Sequence, residues 1–306
     1  MARYVLARLL WTLVILWAIV TLTFAATFLS PIDPARSYAG LRATDKVIEQ
    51  VRERFGLDDP IPVQYVRYLG RLAQGDLGDS FATGEDVRSA ILSRLPDTML
   101  LALAAAVIQI TIGIPLGLVA ALRRQTLVDR SILIFSLVGV VVPAFVLGFL
   151  LLYYLAFRLG WFPLGGSGSL AHLVLPAFTL GIAGAAWYAR MLRSTVLNIL
   201  SEDYVRNARA KGLTETVVVL RHILRNSIGP IVTMVGLDVG VFLGGVLVIE
   251  KVFAWPGIGD QAWRAITFND VPMVMGTVLV AAFFVTVFNL IADVANAFID
   301  PRIRLD

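Results

Sequence analysis

Two carboxylates, Asp238 and Asp293, fall within long apolar runs of this chain, where an ionised group is costly and must face a cavity or a partner. Asp238 stands among Gly236, Gly240 and Gly244. It either lines a polar path through the membrane or serves as a hydrogen-bonded structural acid towards one end of its helix. Asp293 lies nearer the opposite end, where a basic residue such as Arg190 is expected to pair with it. Other chemistry is thinly supplied. His172 and His222 are the only histidines, far apart and in different kinds of segment, and no His-Glu-x-x-His occurs, which argues against a metal site. The absence of cysteine rules out disulfides, thiolate metal ligands and thiol catalysis. No G-x-x-x-x-G-K-[ST] is present, so the chain has no P-loop to cradle nucleotide phosphates. Gly165-Gly166-Ser167-Gly168-Ser169 approaches the G-x-S-x-G nucleophile elbow but fails it at Ser169, and reads as a flexible loop.

The second informative pattern is polar. Residues 202–233 read EDYVRNARAKGLTETVVVLRHILRNSIGPIVT, an Arg-rich helix–Gly–helix between two apolar segments. Small Ala208 and Ala210 follow Tyr204, and Gly212 is placed to end the first helix as a C-cap. Thr214 can cap the next helix, which carries Val218, Leu220, Ile223 and Leu224, and Pro230 marks the start of the following apolar run. A short helix with a sharp Gly exit can insert into a groove on another protein. Arg206, Arg209, Lys211, Arg221 and Arg225 could pair with acidic side chains or, as an ordinary basic juxtamembrane loop would, with lipid phosphates.

The elements that position these groups are membrane helices. Of the 306 residues 58% are hydrophobic and only 16% charged, against about half and a quarter in soluble domains. Six runs, near 9–29, 98–122, 132–157, 172–192, 231–250 and 273–298, reach the roughly 20 residues needed to cross a bilayer. The first is longer than the apolar core of a secretory signal and is expected to be retained. Arg3, Arg8, Arg123, Arg124, Arg130, the basic cluster at 190–225, Arg302 and Arg304 all fall on one side, which the positive-inside rule makes cytoplasmic, with both termini there. The net charge of +4 then reflects orientation and not nucleic-acid binding. Three parts follow: residues 1–30 with the first helix, an extracytoplasmic insert at 31–97, and a five-helix core at 98–306 with its cytoplasmic loop at 193–229. Within the insert, Thr44 can cap a helix whose Val47, Ile48, Val51 and Phe55 share a face and which Gly56 can end. Pro60 and Pro62 break the chain before a second helix at 63–73, and Gly75-Asp76-Leu77-Gly78 begins a turn-rich loop. The doubled small-xxx-small pattern at Gly236, Gly240 and Gly244, with Gly245 beside it, predicts close helix packing, within the chain or against a second subunit. Pro115 between Gly113 and Gly117 is a candidate kink, as are Pro143 and Pro176.

These motifs together resemble one family. Residues 204–212, YVRNARAKG, followed by RHILRNSIGP, are similar to the EAA loop of binding-protein-dependent ABC importer permeases of the dipeptide/oligopeptide class. Gly75-Asp76-Leu77-Gly78, the run Val252-Phe253-Ala254-Trp255-Pro256-Gly257-Ile258-Gly259, and the ending Asp300-Pro301-Arg302-Ile303-Arg304 match the same class in the same order. At the triplet itself this chain reads Arg206-Asn207-Ala208, with a basic residue where the family has an acid.

The resemblance implies an all-α membrane protein of the type I ABC importer permease fold, with six transmembrane helices and no enzymatic activity of its own. Tyr204, Val205, Arg206, Asn207, Ala208, Arg209, Ala210, Lys211, Gly212 and Leu213 would form the coupling helix on an ATPase subunit. Phe253, Trp255, Pro256 and Gly257 would contact a substrate-binding protein, and Asp238 could meet the amino group of a peptide in transit. Implied partners are a second, different permease, two ATP-binding cassette subunits carrying ATP and Mg²⁺, the extracytoplasmic binding protein and membrane lipid. The implied location is the bacterial cytoplasmic membrane. Expected cargo is a dipeptide or oligopeptide, with glutathione or a nickel chelate as alternatives within the family. An ion-coupled secondary transporter would need more intramembrane carboxylates than Asp238 and Asp293 provide.

Overall fold

Apolar runs of this length satisfy their peptide groups in a bilayer only as helices or closed barrels. The computed structural model describes residues 2–29, 34–39, 43–243 and 246–299, and among these every extended element is helical, without a strand. In chain order they are α1 (Ala2–Leu29), α2 (Pro34–Ala39), α3 (Asp45–Phe55), α4 (Ile61–Ala73), α5 (Val87–Leu122), α6 (Leu127–Val141), α7 (Ala144–Leu151), α8 (Leu170–Leu200), α9 (Asp203–Ala210), α10 (Glu215–Val217), α11 (Arg225–Leu243), α12 (Leu247–Val252), α13 (Ile258–Thr267) and α14 (Val271–Ile299). Two π-helical stretches, Leu152–Arg158 and Val218–Leu224, extend α7 and join α10 to α11.

Six membrane spans are expected, and the described residues support four or five of them. Among the described residues four helices are long and apolar enough to cross, within α1, α5, α8 and α14, and a fifth span exists if α6 and the α7 stretch count as one. That pair is bent by 99° at Val142–Pro143, because Pro143 cannot continue the helix and opens α7 instead. The run near 231–250 divides into α11 and α12. Gly244 and Gly245, between them, lie outside the described residues, as does the Asp300-Pro301-Arg302-Ile303-Arg304 ending.

Helix α5 against α8 forms the centre of the bundle. A Cβ on Gly117 would fall 2.6 Å from the Ala189 carbonyl oxygen, and one on Gly181 2.7 Å from that of Ala105. Only hydrogen lets the two backbones approach so closely. Pro96 and Pro115 sit inside α5 without ending it, and Gly113 and Gly117 lie at the α8 contact. Gly236 and Gly240 do the same on α11. A Cβ at Gly240 would lie 3.1 Å from Val285 Cα, and one at Gly236 would strike Ala292. Both therefore pack on α14 of the same chain.

The insert follows its sequence signals. Gly56 ends α3 in the left-handed conformation at φ +60°, and Thr44 occupies its N-cap position, although its side chain makes no capping bond. Helix α4 lies on α1, where Tyr65 hydrogen-bonds Thr21 at 2.6 Å and Tyr68 stacks on Phe24 at 5.5 Å. The loop after Gly75 is anchored far along the chain. Ser80 Oγ donates to Asp270 Oδ2 at 2.5 Å, and the Phe81 amide to its Oδ1 at 3.0 Å. Asp86 caps α5 through the Ser89 amide at 2.8 Å, and the two Ser89 bonds hold its carboxyl below the usual range.

Candidate functional site

Helix α9 is polar and short, and its length is set at both ends. Glu202 and Asp203 place negative charge in the first turn, where it complements the helix dipole. At the other end Gly212 takes φ +76°, its amide bonding the Arg209 carbonyl at 2.9 Å and that of Leu213 the Ala208 carbonyl at 3.4 Å. This paired closure is the Schellman arrangement that glycine favours. Arg209 crosses the turn and clips α9 to α10, with Nη2 2.6 Å and Nε 3.1 Å from the two Glu215 oxygens. The bidentate bond holds the Glu215 carboxyl below its ordinary range.

The ten residues 204–213 divide by burial. Val205 and Ala208 are buried against Val196, Val218 and Ile223. Tyr204, Arg206, Asn207, Arg209, Ala210, Lys211, Gly212 and Leu213 are exposed. Ala208 therefore seats the helix on its own chain, and the exposed face carries Tyr204, Asn207, Ala210 and Lys211.

At the middle of the bundle Asp238 accepts from Gln109 Nε2 of α5 and from Tyr188 Oη of α8, the latter at 2.8 Å. Three helices are tied at one carboxylate, and Tyr188 and Gln109 are almost fully buried. Asp238 is thus hydrogen-bonded within the bundle. It is also partly exposed, with both bonds on Oδ2. The structure gives Asp293 a different partner from the expected Arg190: Arg8 Nη1 lies 3.1 Å from its Oδ2 and joins α1 to α14. Sequence reasoning missed the pairing of Asp129 with Arg193, where Nε and Nη2 reach the two carboxylate oxygens at 2.6 and 2.9 Å. The available signal was an acid and a base near the ends of apolar helices, because burying one favours burying the other.

The Val252–Gly259 motif lies at the end of the bundle that carries the insert. Phe253 and Trp255 are buried, and Gly257 is buried too, which leaves Pro256 partly exposed and Ala254 exposed. The first three thus lack the exposed surface that contact with a binding protein requires. Beside Gly257 lies Glu250, itself fully buried. Its Oε1 accepts from Thr98 Oγ1 at 3.0 Å and its Oε2 from the Asp260 amide at 2.9 Å. Thr98 in turn accepts from the Ile258 amide at 2.8 Å, and Trp255 Nε1 donates to the Asp97 carbonyl at 3.0 Å. A Cβ at Gly257 would strike the Glu250 carboxylate, and one at Gly259 would lie 2.7 Å from Leu247 Cα. The two glycines are required by the carboxylate they surround.

Comparisons with known proteins agree with this arrangement. Residues 113–305 match the family described as binding-protein-dependent transport system inner membrane component, and residues 1–102 match its N-terminal companion. The chain is 42% identical over 304 residues to a glutathione transport system permease of Salmonella paratyphi A, covering 99% of each chain. It is 41% identical to the Escherichia coli K12 protein of the same name, with 99% of each covered. Among solved structures, the inward-facing MetNI methionine ABC transporter superposes with a TM-score of 0.58 at 18% identity, covering 69% of this chain and 96% of that one, and shares the fold. An all-helical bundle with several apolar spans and a polar helix–Gly–helix loop, matched along nearly its whole length, makes this chain a member of the binding-protein-dependent ABC transporter permeases, a transport subunit of the inner membrane and not an enzyme.

Proposed function

We propose that this chain is one of two permease subunits of an ABC importer for small peptides, with glutathione, itself a tripeptide, as the favoured cargo. The observation that carries the cargo assignment is the 42% identity over 304 residues to proteins named glutathione transport permeases. General dipeptide or oligopeptide transport is the second reading, supported by the YVRNARAKG and FAWPGIG motifs. In this account the second permease is a different homologue, the termini are cytoplasmic, and ATP and Mg²⁺ bind in two separate ATPase subunits.

The exposed face of α9 enters a cleft of one ATPase. Closure of the ATPases on ATP moves α9, and the seat of Val205 and Ala208 transmits that motion to α8 and α11. The membrane cavity then opens towards the binding protein, and hydrolysis resets it inward. No covalent step takes place in this chain. Asp238, partly exposed and with both of its bonds among the described residues on Oδ2, would in this reading meet the amino group of the peptide.

The test is uptake by the co-purified complex in proteoliposomes with its binding protein. ATP-dependent accumulation of labelled glutathione, competed weakly by dialanine, supports the glutathione reading. Strong dialanine uptake without glutathione uptake overturns it in favour of the dipeptide reading. Uptake abolished by an ionophore at constant ATP contradicts the ABC mechanism itself.

A further inference from the structure

Beside the Glu250 enclosure, three cations converge on one acid. Arg264 Nε lies 2.8 Å from Asp260 Oδ2, Lys251 Nζ 3.6 Å from Oδ1, and Arg94 Nη1 3.8 Å from Oδ2. Asp260 is buried, with its side chain 5% exposed, while those of Lys251 and Arg264 are 48% and 57% exposed. Only Arg264 is within hydrogen-bonding reach. Lys251 and Arg94 feel the charge of Asp260 but keep their N–H donors uncommitted among the described residues. Asp260 itself thus faces three cations, with Glu250 enclosed beside it and Asp97 three residues after Arg94 on α5.

The cluster stands at the edge of the membrane on the insert side. Helix α5 has 36 residues, or about 54 Å at 1.5 Å per residue, against a hydrocarbon core of about 30 Å. Its first turns, which carry Arg94, therefore project beyond the core. The turn after α13 is bonded to the insert through Asp270, Ser80 and Phe81. Arg264 is flanked on α13 by exposed Trp263 and Ile266, and tryptophan and arginine are among the residue types enriched in interface hot spots.

We infer that Arg94, Lys251 and Arg264 form the receiving site for an acidic side chain of the extracytoplasmic binding protein. This rests on the importer reading and on the insert side facing outward. It replaces Phe253, Trp255 and Gly257, which are internal, with their exposed basic neighbours. Asp260 gathers the three heads but bonds only that of Arg264, so an incoming carboxylate meets the donors of Lys251 and Arg94 already oriented. Such charges raise the association rate and fix the docking register more than they add affinity, and salt screens them.

The experiment uses the full complex in proteoliposomes of phosphatidylcholine, with the binding protein recovered alongside it, and reads the concentration that half-maximally stimulates ATP hydrolysis. Lys251→Gln and Arg94→Gln, which leave the Arg264–Asp260 bond in place, should each raise that concentration on the order of fivefold and flatten its salt dependence. Basal hydrolysis and unfolding temperature should stay unchanged, and Lys251→Arg should behave as the unaltered protein. An unchanged half-maximal concentration with a raised KM for cargo overturns the inference and makes the cluster a cargo site. A defect seen only when anionic lipid is present also overturns it, in favour of a headgroup site. Absence of stimulation in the unaltered complex contradicts the importer reading instead.

Discussion

At one end of the molecule a Cβ added to Gly212 would meet nothing within 4 Å, and at the other a Cβ on Gly257 would strike a buried carboxylate. Both glycines belong to motifs of similar length and similar prominence in the sequence. Around Gly212 eight of ten residues are exposed, and one bidentate ion pair holds the turn. Around Gly257 the aromatic side chains point inward, and both oxygens of Glu250 are bonded. The second motif is shaped by an acid within the chain, whereas nothing in the chain itself crowds the glycine of the first. A recurring motif therefore marks a constraint without saying which side of the surface imposes it.

Substitution separates the two. Gly259→Ala places a methyl against the Leu247 backbone, and overpacking of this kind costs about 1–3 kcal/mol. The expected result is a lowered unfolding temperature in detergent and a reduced folded yield. An unaltered unfolding temperature would show the Glu250 enclosure to be looser than its geometry.

Gly212→Val should do the opposite. The space is open, so the fold is retained, but a β-branched residue at φ +76° is strained by about 1–2 kcal/mol. The docked turn should then be depopulated roughly 5- to 30-fold, which uncouples ATP hydrolysis from transport. Normal uptake per ATP in that variant would contradict the role of the turn.

Between these regions, Tyr188→Phe removes one of the two donors to Asp238 and should cost about 1 kcal/mol of stability with the fold intact. Equilibrium unfolding of the solubilised chain reads it, and no change would mean that the bond is not formed.

The smallest effect expected is on pH. Glu215 is held below its ordinary range by Arg209, so the stabilisation of the turn is complete above the usual carboxylate range and is lost as pH falls through the lowered value. Proteolysis of the 203–217 segment should thus be constant from pH 8 to 5.5 and quicken only in stronger acid. Quickening between pH 7 and 6 would contradict the pairing. The exposed pair is worth under about 1 kcal/mol, so the change should be modest.

Much of this was legible before any coordinates. Gly212 and Gly56 announced left-handed helix ends, because few other residues take positive φ without strain. The apolar runs announced helices, and the insert helices followed from Val47, Ile48 and Val51 and from Pro60. Burial was less legible. Val205 and Ala208 differ little from Val217 and Ala210 as residue types, yet the first two are buried and the others exposed, since helix phase against a distant segment decides. The partners of acids were least legible. Asp293 takes Arg8, 285 positions away in the chain, in place of the nearer Arg190, and Glu250 is held by Thr98. Pairings of that sequence separation are fixed by the packing of α1 on α14 and of α13, with α12 against it, on α5, which no local pattern encodes.

The most direct test of the central claim uses the natural absence of cysteine. Single Ala210→Cys and Ala208→Cys chains would be labelled with a maleimide, in membranes opened to the cytoplasmic face, with and without the ATPase subunits. The account predicts that Cys at 210 reacts readily alone and is protected once the ATPases assemble, whereas Cys at 208 reacts slowly in both. Equal labelling of 210 with and without the ATPases would contradict α9 as the docking helix.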